Sequence, residues 1–430
     1  MSSPAREVAS VLRNRDFTLW LAARFLAAIA AQMIVIAVGW QVYQMTGRLI
    51  DLGFIGLSQF LPFLLLVLFA GHAADRFDRR IILVLCGLLQ FACAALLFVF
   101  AFERIAHSWP IFVVLAFLGV ARAFQMPAAQ AFMPNLVPLR SLGQAVALSS
   151  SSFQVATIAG PSLGGILYAI AQASFGSGGG AVLVYAASAL LLLGAAAMLA
   201  MIRGRRPQGD VAPVSRASLL HGLRFVWRRK TVLGALSLDL FAVLFGGATA
   251  LLPAFTRDIL HLGPAAFGYL RAAPGIGAGL TALLLTFRPL KRRVGATMFL
   301  GVAAFGAATL VFGLTHRFAV AMVALVVLGA GDMVSVFVRQ VLVQLETPDD
   351  IRGRVSAVNA VFIGASNELG EFESGLTAAW MGLVPAIVFG GVATLVVAAL
   401  WARVLFPQLW DMQSFAQLGD HRAPGAASSP

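Results

Sequence analysis

Carboxylates inside long apolar stretches are the residues of this 430-residue chain most suited to chemistry. One stretch contains Glu368, Glu371 and Glu373 within six residues. Glu368 and Glu371 are three residues apart and share a helix face, whereas Glu373 points elsewhere. A carboxyl group removed from water favours its neutral form, which suits a proton carrier. The alternative is a shorter helix that places these glutamates near the outer surface.

Three further charges interrupt apolar stretches, namely Arg122, Asp239 and Asp332. Arg122 lies near the middle of its stretch, where a charge costs several kcal/mol unless it is paired or hydrated. Both a proton-coupling role and a structural buried pair fit this position. Off-centre arginines could extend to the surface or pair with these acids; they are Arg24, Arg271 and Arg339.

The composition places these charges in a membrane protein. The chain is 60% hydrophobic and 11% charged, whereas soluble domains carry about 25% charged residues. Its mean hydropathy is +0.89. The net charge of +13 comes from basic residues scattered over short loops, so we do not expect nucleic-acid binding.

Twelve segments are long enough to cross a bilayer, which takes about 20 mostly apolar residues. They must be helices because open sheet edges are not tolerated in hydrocarbon. The predicted spans are 17–44, 50–70, 81–102, 109–131, 142–170, 180–202, 230–254, 263–287, 294–315, 318–345, 354–378 and 380–404.

The distribution of Lys and Arg predicts the orientation. With the N-terminus inside, cytoplasmic segments contain 23 of the 31 basic residues and outer loops contain four. This asymmetry predicts that both termini are cytoplasmic. The predicted divisions are an N-tail (1–16), a six-helix half (17–202), a basic linker (203–229), a second half (230–405) and a C-tail (406–430).

The two halves repeat each other at a shift of 210 residues. Gly119 then aligns with Gly329, and Arg122 aligns with Asp332. Parallel repeats around a central cavity are what alternating access requires. The opposite signs of Arg122 and Asp332 suggest complementary sites across that cavity.

The loop between the second and third spans has the sequence GHAADRFDRR, from Gly71 to Arg80. It resembles the major facilitator signature G-x-L-a-D-r-x-G-r-k/r, with Ala73 and Asp78 in place of Leu and Gly. The resemblance implies a cytoplasmic gate motif that latches the two halves and helps set the conformational equilibrium; its residues are Gly71, Asp75, Arg76, Arg79 and Arg80. Ordinary loop charge is the alternative. We expect Asp78 to weaken the turn, because aspartate adopts left-handed backbone less readily than glycine.

The fifth span contains GPSLGG, with Gly160, Pro161, Gly164 and Gly165. It resembles the end of the antiporter motif of major facilitator exporters, although the upstream glycines are replaced by alanine. Small residues permit close helix contact and proline bends a helix. Ordinary helix packing is the alternative interpretation.

Together with the repeat and the sequence PDDIRGRVSAVNAVFIGASNELGEFESG, these motifs are similar to one branch of the superfamily. It contains enterobactin-exporter-like and drug:proton antiporter-3 proteins, also called transmembrane secretion effectors. The resemblance implies a monomer in the bacterial inner membrane that exports a siderophore or an amphipathic drug-like compound in exchange for protons, without a cofactor or metal.

Three other functions remain open at this point. An importer or facilitator with the same fold is the main alternative. A membrane enzyme or ATP-driven pump is disfavoured because Lys230 and Lys291 are the only lysines and neither lies in a phosphate-binding loop. A non-transporting receptor is disfavoured by the charges retained inside the spans.

Overall fold

The computed structural model describes residues 11–176, 179–203, 223–348 and 351–415. Across these ranges the chain forms twelve long helices and no strand. The helices are α1 (Arg15–Thr46), α2 (Leu49–Arg76), α3 (Arg79–Phe102), α4 (Trp109–Phe132), α5 (Leu142–Phe175), α6 (Gly179–Met201), α7 (Lys230–Phe245), α8 (Pro264–Phe287), α9 (Val294–Leu314), α10 (Phe318–Glu346), α11 (Arg352–Met381) and α12 (Leu383–Leu400).

These helices confirm the predicted all-α membrane fold. Eleven of the segments are long and apolar enough to cross a membrane. The helix outside that set is α11, which carries the three glutamates and therefore has a lower hydropathy. Its 30-residue length is nevertheless ample for a span.

Helix pairing repeats between the two halves. In the first half α1 packs on α5 and α6, and α3 packs on α4 and α6. The corresponding pairs of the second half are α7 with α11 and α12, and α9 with α10 and α12. Gly119 and Gly329, aligned by the repeat, both lie where a Cβ would overlap the backbone of a neighbouring helix, at Gln59 and Pro274 respectively. The two-repeat architecture predicted from the sequence is therefore present in the packing.

The seventh span was predicted as one continuous helix, but the structure shows a break in it. Its α-helix ends at Phe245 and is followed by a 3-10 turn (Ala248–Leu251), a short helical turn (Leu252–Ala254) and a π-helical turn (Phe255–Ile259). The break lies at Gly246 and Gly247, where only glycine fits, since a Cβ would collide with Phe305 at Gly246 and with Gly370 at Gly247. Periodicity in an apolar stretch does not reveal such a break.

The chain folds into two compact units. The first comprises Met1–Pro213 and Leu252–Ala272, and the second comprises Val214–Leu251 and Ala273–Pro430. The segment 252–272, which includes the end of the seventh span and the start of α8, thus belongs to the first unit. The sequence-based boundaries at residues 16, 202, 229 and 405 stay a prediction. Residues 1–10 of the N-tail, 204–222 of the linker and 416–430 of the C-tail lie outside the described residues.

Each unit has its own apolar core. Phe17 and Trp20 of α1 pack with residues of α3, α4 and α6 in the first unit. Phe299 of α9 and Trp401 pack with residues of α7 and α10 in the second unit. These cores fix the helices that carry the charged side chains.

Candidate functional site

A buried ion pair joins two helices of the second unit. The Arg339 guanidinium on α10 lies 3.4 Å (Nη2 to Oδ2) from the Asp239 carboxylate on α7. The side chains are only 2% and 8% exposed. Removing charges from water is costly, so a pair this deeply buried requires good partners.

A second helix holds the same guanidinium from another direction. Arg339 Nη1 donates a hydrogen bond of 2.6 Å to Oδ1 of Asn359 on α11. The remaining donor, Arg339 Nε, is buried and has no hydrogen-bond partner in the described part of the chain. Arg339 is therefore fixed between α7 and α11.

Asp332 lies on α10, seven residues before Arg339 and thus on the same helix face. Long helical side chains point toward the helix N-terminus, which directs Arg339 toward Asp332. Asp332 interacts electrostatically with both Asp239 and Arg339. It is half-buried, and no described residue donates a hydrogen bond to its carboxylate.

Asp239 and Asp332 are among the residues that line one narrow cleft of the second unit. Its other walls are mostly apolar and come from α7, α9 and α10; they are Ala242, Val243, Val302, Phe305 and Ser335. Two carboxylates and one guanidinium carry a net charge of −1 when all three are ionised. Such an arrangement can accept one proton.

The three glutamates predicted as candidates on α11 are not among the described residues that line this cleft. Glu368 is buried, whereas Glu371 and Glu373 are half-buried. The carboxylate of Glu373 accepts a 2.7 Å hydrogen bond from the Thr377 hydroxyl. Since α11 continues to Met381, these residues are not at the helix end.

Arg122 belongs to the first unit, on α4. Its side chain is exposed, and its guanidinium lies 5.7 Å from the ring centre of Phe63 on α2. The predicted complementarity of Arg122 and Asp332 concerns different units and stays a prediction.

In the signature loop, two arginines bind helix ends of the first unit. Arg79 donates from Nη1 to the Ala131 carbonyl at 3.0 Å, and Arg80 donates to the Ala200 carbonyl. Cationic side chains are favourable at these carbonyl-rich ends of α4 and α6. Arg76 is exposed, and a Cβ on Gly71 would have open space. The side chain of Asp75 lies outside the described residues, so its role as a latch stays a prediction.

The expectation that Asp78 weakens the turn is wrong. Its φ of −60° lies outside the left-handed region, so glycine is not required. Its carboxylate instead accepts a 2.8 Å hydrogen bond from the Arg80 backbone N–H and caps α3.

The glycines of GPSLGG are contact points of α5. A Cβ on Gly160 would lie 2.6 Å from the Gln32 side chain, and one on Gly164 would lie 3.0 Å from Met33 Cα, both on α1. A Cβ on Gly165 would lie 2.6 Å from the Pro264 carbonyl oxygen at the start of α8. Pro161 is buried inside the same helix. Close packing thus accounts for these small residues, and a role in export stays a prediction.

Two groups of polar residues were not singled out as sites from the sequence. One is Asn359 with its hydrogen bond to Arg339; Arg339 itself was expected to extend to the surface or to pair with an acid, and it pairs with Asp239. The other lies in the first unit, where the Tyr43 hydroxyl donates to the Asp258 carboxylate and Arg257 stacks 5.6 Å from the Tyr43 ring centre. The π-helical turn that presents Arg257 and Asp258 has no sequence signal in an apolar segment.

The fold is shared with solved transporters. A bacterial homologue of the human lysosomal transporter Spinster, in an inward-facing and occupied conformation, matches with a TM-score of 0.73 at 15% identity, covering 92% of this chain and 98% of that one. A D-xylose-proton symporter matches with a TM-score of 0.70 at 14% identity, covering 91% and 98%. At these low sequence identities, the structural similarity shows a shared fold alone.

Similar sequences include named efflux pumps. Multidrug efflux pump Tap of Mycobacterium tuberculosis is 27% identical over 416 residues, or 91% of this chain and 95% of the relative. Macrolide efflux protein A of Streptococcus pyogenes is 27% identical over 154 residues, or 36% and 38% of the two chains. The model of the transmembrane secretion effectors matches residues 8–424. This chain is therefore a multi-span membrane protein that belongs to the transmembrane secretion effector family of major facilitator transporters.

Proposed function

We propose that this protein is a proton-coupled exporter of small amphipathic compounds that works by alternating access. Family membership supports transport, and the efflux pumps among its relatives support export. This is a family of transporters rather than enzymes, so the buried charges are assigned to coupling rather than to catalysis.

The observation that carries the proton proposal is the Asp332 carboxylate. It is half-buried in a span, receives no hydrogen bond from a described residue and lies near a second carboxylate. Protonation of Asp332 would change the net charge of the cluster from −1 to zero. A conformation that buries the cluster more deeply would favour the neutral state, because desolvation penalises charge.

Proton binding can thereby be linked to a change of state. In alternating access, repeated halves rearrange around a central substrate site. A ligand shifts such an equilibrium only through its different affinity for the two states. The proposed cause of the different proton affinity is that Asp332 is more hydrated in one state than in the other. The other candidate acids are Asp239, Glu368, Glu371 and Glu373. Arg122 is the proposed counterpart of Asp332 in the first half.

The charge of the cluster favours one of the two substrate classes. An iron-chelating siderophore presents anionic oxygen donors, which the ionised cluster would repel. An amphipathic compound with an amine instead complements the net charge of the ionised cluster. We therefore place amphipathic cations ahead of siderophores.

The proposed setting is the bacterial inner membrane, with a monomer whose two termini face the cytoplasm. The excess of Lys and Arg in the inner loops supports this orientation. The predicted halves 17–202 and 230–405 would move relative to each other, connected by the linker 203–229, with Asp75 and its neighbouring arginines at the cytoplasmic gate.

Everted membrane vesicles test the function. Acidifying the vesicle interior should drive uptake of a fluorescent amphipathic cation, and a protonophore should abolish it. Asp332→Asn should reduce this uptake by at least ~10-fold, since it removes the exchangeable proton. Asp411→Asn is the matched control, because Asp411 is exposed beyond α12.

Three results would contradict this account. Full proton-driven transport by both Asp332→Asn and Glu371→Gln would remove those residues from the mechanism. Uptake unaffected by the protonophore would remove proton coupling. Transport in the opposite direction would identify an importer or facilitator, which is the alternative function.

A further inference from the structure

The two aspartates of the second-unit cleft are in different states. Asp239 lies 3.4 Å from Arg339, and its side chain is 8% exposed. Asp332 is half-buried and receives no hydrogen bond from the described residues. The two aspartates therefore differ both in their bonding and in their exposure.

Arg339 is held in place by contacts that leave it little freedom. Its two terminal nitrogens bind groups on different helices, Asp239 on α7 at 3.4 Å and Asn359 on α11 at 2.6 Å. The planar guanidinium fork fixes both directions at once, which a lysine ammonium could not do. Packing supports the same geometry, because α11 contacts α7 and Arg339 is only 2% exposed.

We propose a division of roles within this cluster. Asp239 and Asn359 are positioning residues that hold Arg339 as a fixed cation. Asp332 is the single carboxylate of this cleft that binds and releases the proton. This inference rests on the proposed proton-coupled function. Asp239 then stays ionised throughout the transport cycle as the counter-ion of Arg339. Arg339 in turn stabilises the ionised carboxylate of Asp332, which allows protonated Asp332 to release its proton.

The surroundings of Asp332 agree with this assignment. From α7 it faces Asp239 together with Ala242 and Val243, and from α9 it faces Val302 and Phe305. On α10 its neighbours are Ser335 and Arg339. Asp239 and Arg339 are thus the charged groups that face Asp332 among the described residues. If the charges of Asp239 and Arg339 neutralise each other permanently, the ionisation of Asp332 decides the net charge of the cleft.

Relocating the counter-ion tests the proposal. The double variant Asp239→Asn/Asn359→Asp moves the carboxylate from the α7 side of Arg339 to the α11 side, and keeps the ion pair. We expect proton-driven uptake within ~3-fold of the unaltered protein and an unchanged pH of half-maximal rate, since paired residues compensate each other. Asp239→Asn alone should lose transport by at least ~10-fold.

A second variant keeps the proposal falsifiable if the double variant does not fold. Asn359→Leu removes one support of Arg339, so the pH of half-maximal transport should shift by at least ~0.5 units as the guanidinium moves relative to Asp332. Asn367→Leu is the matched control on the same helix, because exposed Asn367 donates, among the described residues, only to the Ile363 carbonyl of α11. A merely structural role would lower the amount of folded protein and leave the pH profile unchanged.

The outcomes separate this inference from the proposed function. A folded double variant without proton-driven uptake would show that Asp239 itself exchanges the proton, which overturns the division of roles and leaves proton coupling intact. An unchanged pH profile in folded Asn359→Leu would also overturn it. Absence of coupling in the unaltered protein would instead overturn the proposed function.

Discussion

At the scale of single residues, the ion pair of Asp239 and Arg339 is costly to bury and costly to break. Both side chains are almost fully removed from solvent, at 8% and 2% exposure. Removing one partner of a buried pair leaves an uncompensated charge, which typically costs about 3–5 kcal/mol. Removing both partners and filling the space with apolar groups is far less destabilising.

This contrast gives a stability prediction. Arg339→Met should lower the free energy of unfolding by about 3–5 kcal/mol, and adding Asp239→Leu should restore most of it. The free, buried thiols of Cys86 and Cys93 can report unfolding through a thiol-reactive dye in detergent. Equal melting temperatures for the single and double variants would contradict a structural ion pair. Restored stability without restored transport is expected, because the guanidinium that interacts with Asp332 is then absent.

At the scale of helices, α5 shows how a glycine motif fixes packing. The neighbours of Gly165 are backbone atoms of α8. A Cβ on Gly165 would lie 2.6 Å from the Pro264 carbonyl oxygen and 2.9 Å from Gly268 Cα. Backbone atoms cannot move aside as a flexible side chain can. Any side chain at this position would therefore separate the two helices.

Gly165→Ala should consequently destabilise the protein by about 1–3 kcal/mol through overpacking. Gly143→Ala is the matched control on the same helix, because a Cβ there would meet no atom of the described residues within 4 Å. That change should be neutral or slightly stabilising, since alanine favours helix more than glycine does. Thermal unfolding of the two variants checks the prediction, and similar losses for both would refute the proposed contact.

The seventh span shows what sequence reasoning can and cannot provide for an element. Its apolar composition predicts a membrane span over residues 230–254, and the helical segment Lys230–Ile259 is long and apolar enough to cross a membrane. The break after Phe245 was not predicted, because it depends on contacts of Gly246 with Phe305 and of Gly247 with Gly370, far along the chain. Glycines are common in membrane helices, so the pair alone carries no such signal.

At the scale of the whole molecule, the fold was predictable because bilayer physics restricts the choices. Each apolar run must form a helix, and the 210-residue repeat predicts the same pairings in both halves. The site was less predictable. Asp239 and Asp332 were identified by the cost of charge in an apolar stretch, but the partnership of Arg339 with Asn359 depends on how α10 and α11 pack. Sequence spacing within one helix does not report contacts between helices.

The same limit applies to the glutamates of α11. Their presence in one span predicted a functional cluster, and the structure places Glu368 in a buried position and Glu373 in a hydrogen bond with Thr377. A local hydrogen bond stabilises the Glu373 side chain without requiring a transported ion. Asp332, which has no such bond in the described part of the chain, is therefore the better candidate for exchange.

Proton movement coupled to substrate is the most direct test of the account. The purified protein would be reconstituted in liposomes containing a pH-sensitive dye, with an imposed proton gradient, and amphipathic cations and siderophores would be added one at a time. The account predicts proton flux that depends on an amphipathic cation and is lost in Asp332→Asn. Correctly inserted protein that moves no protons with any of these compounds would contradict it.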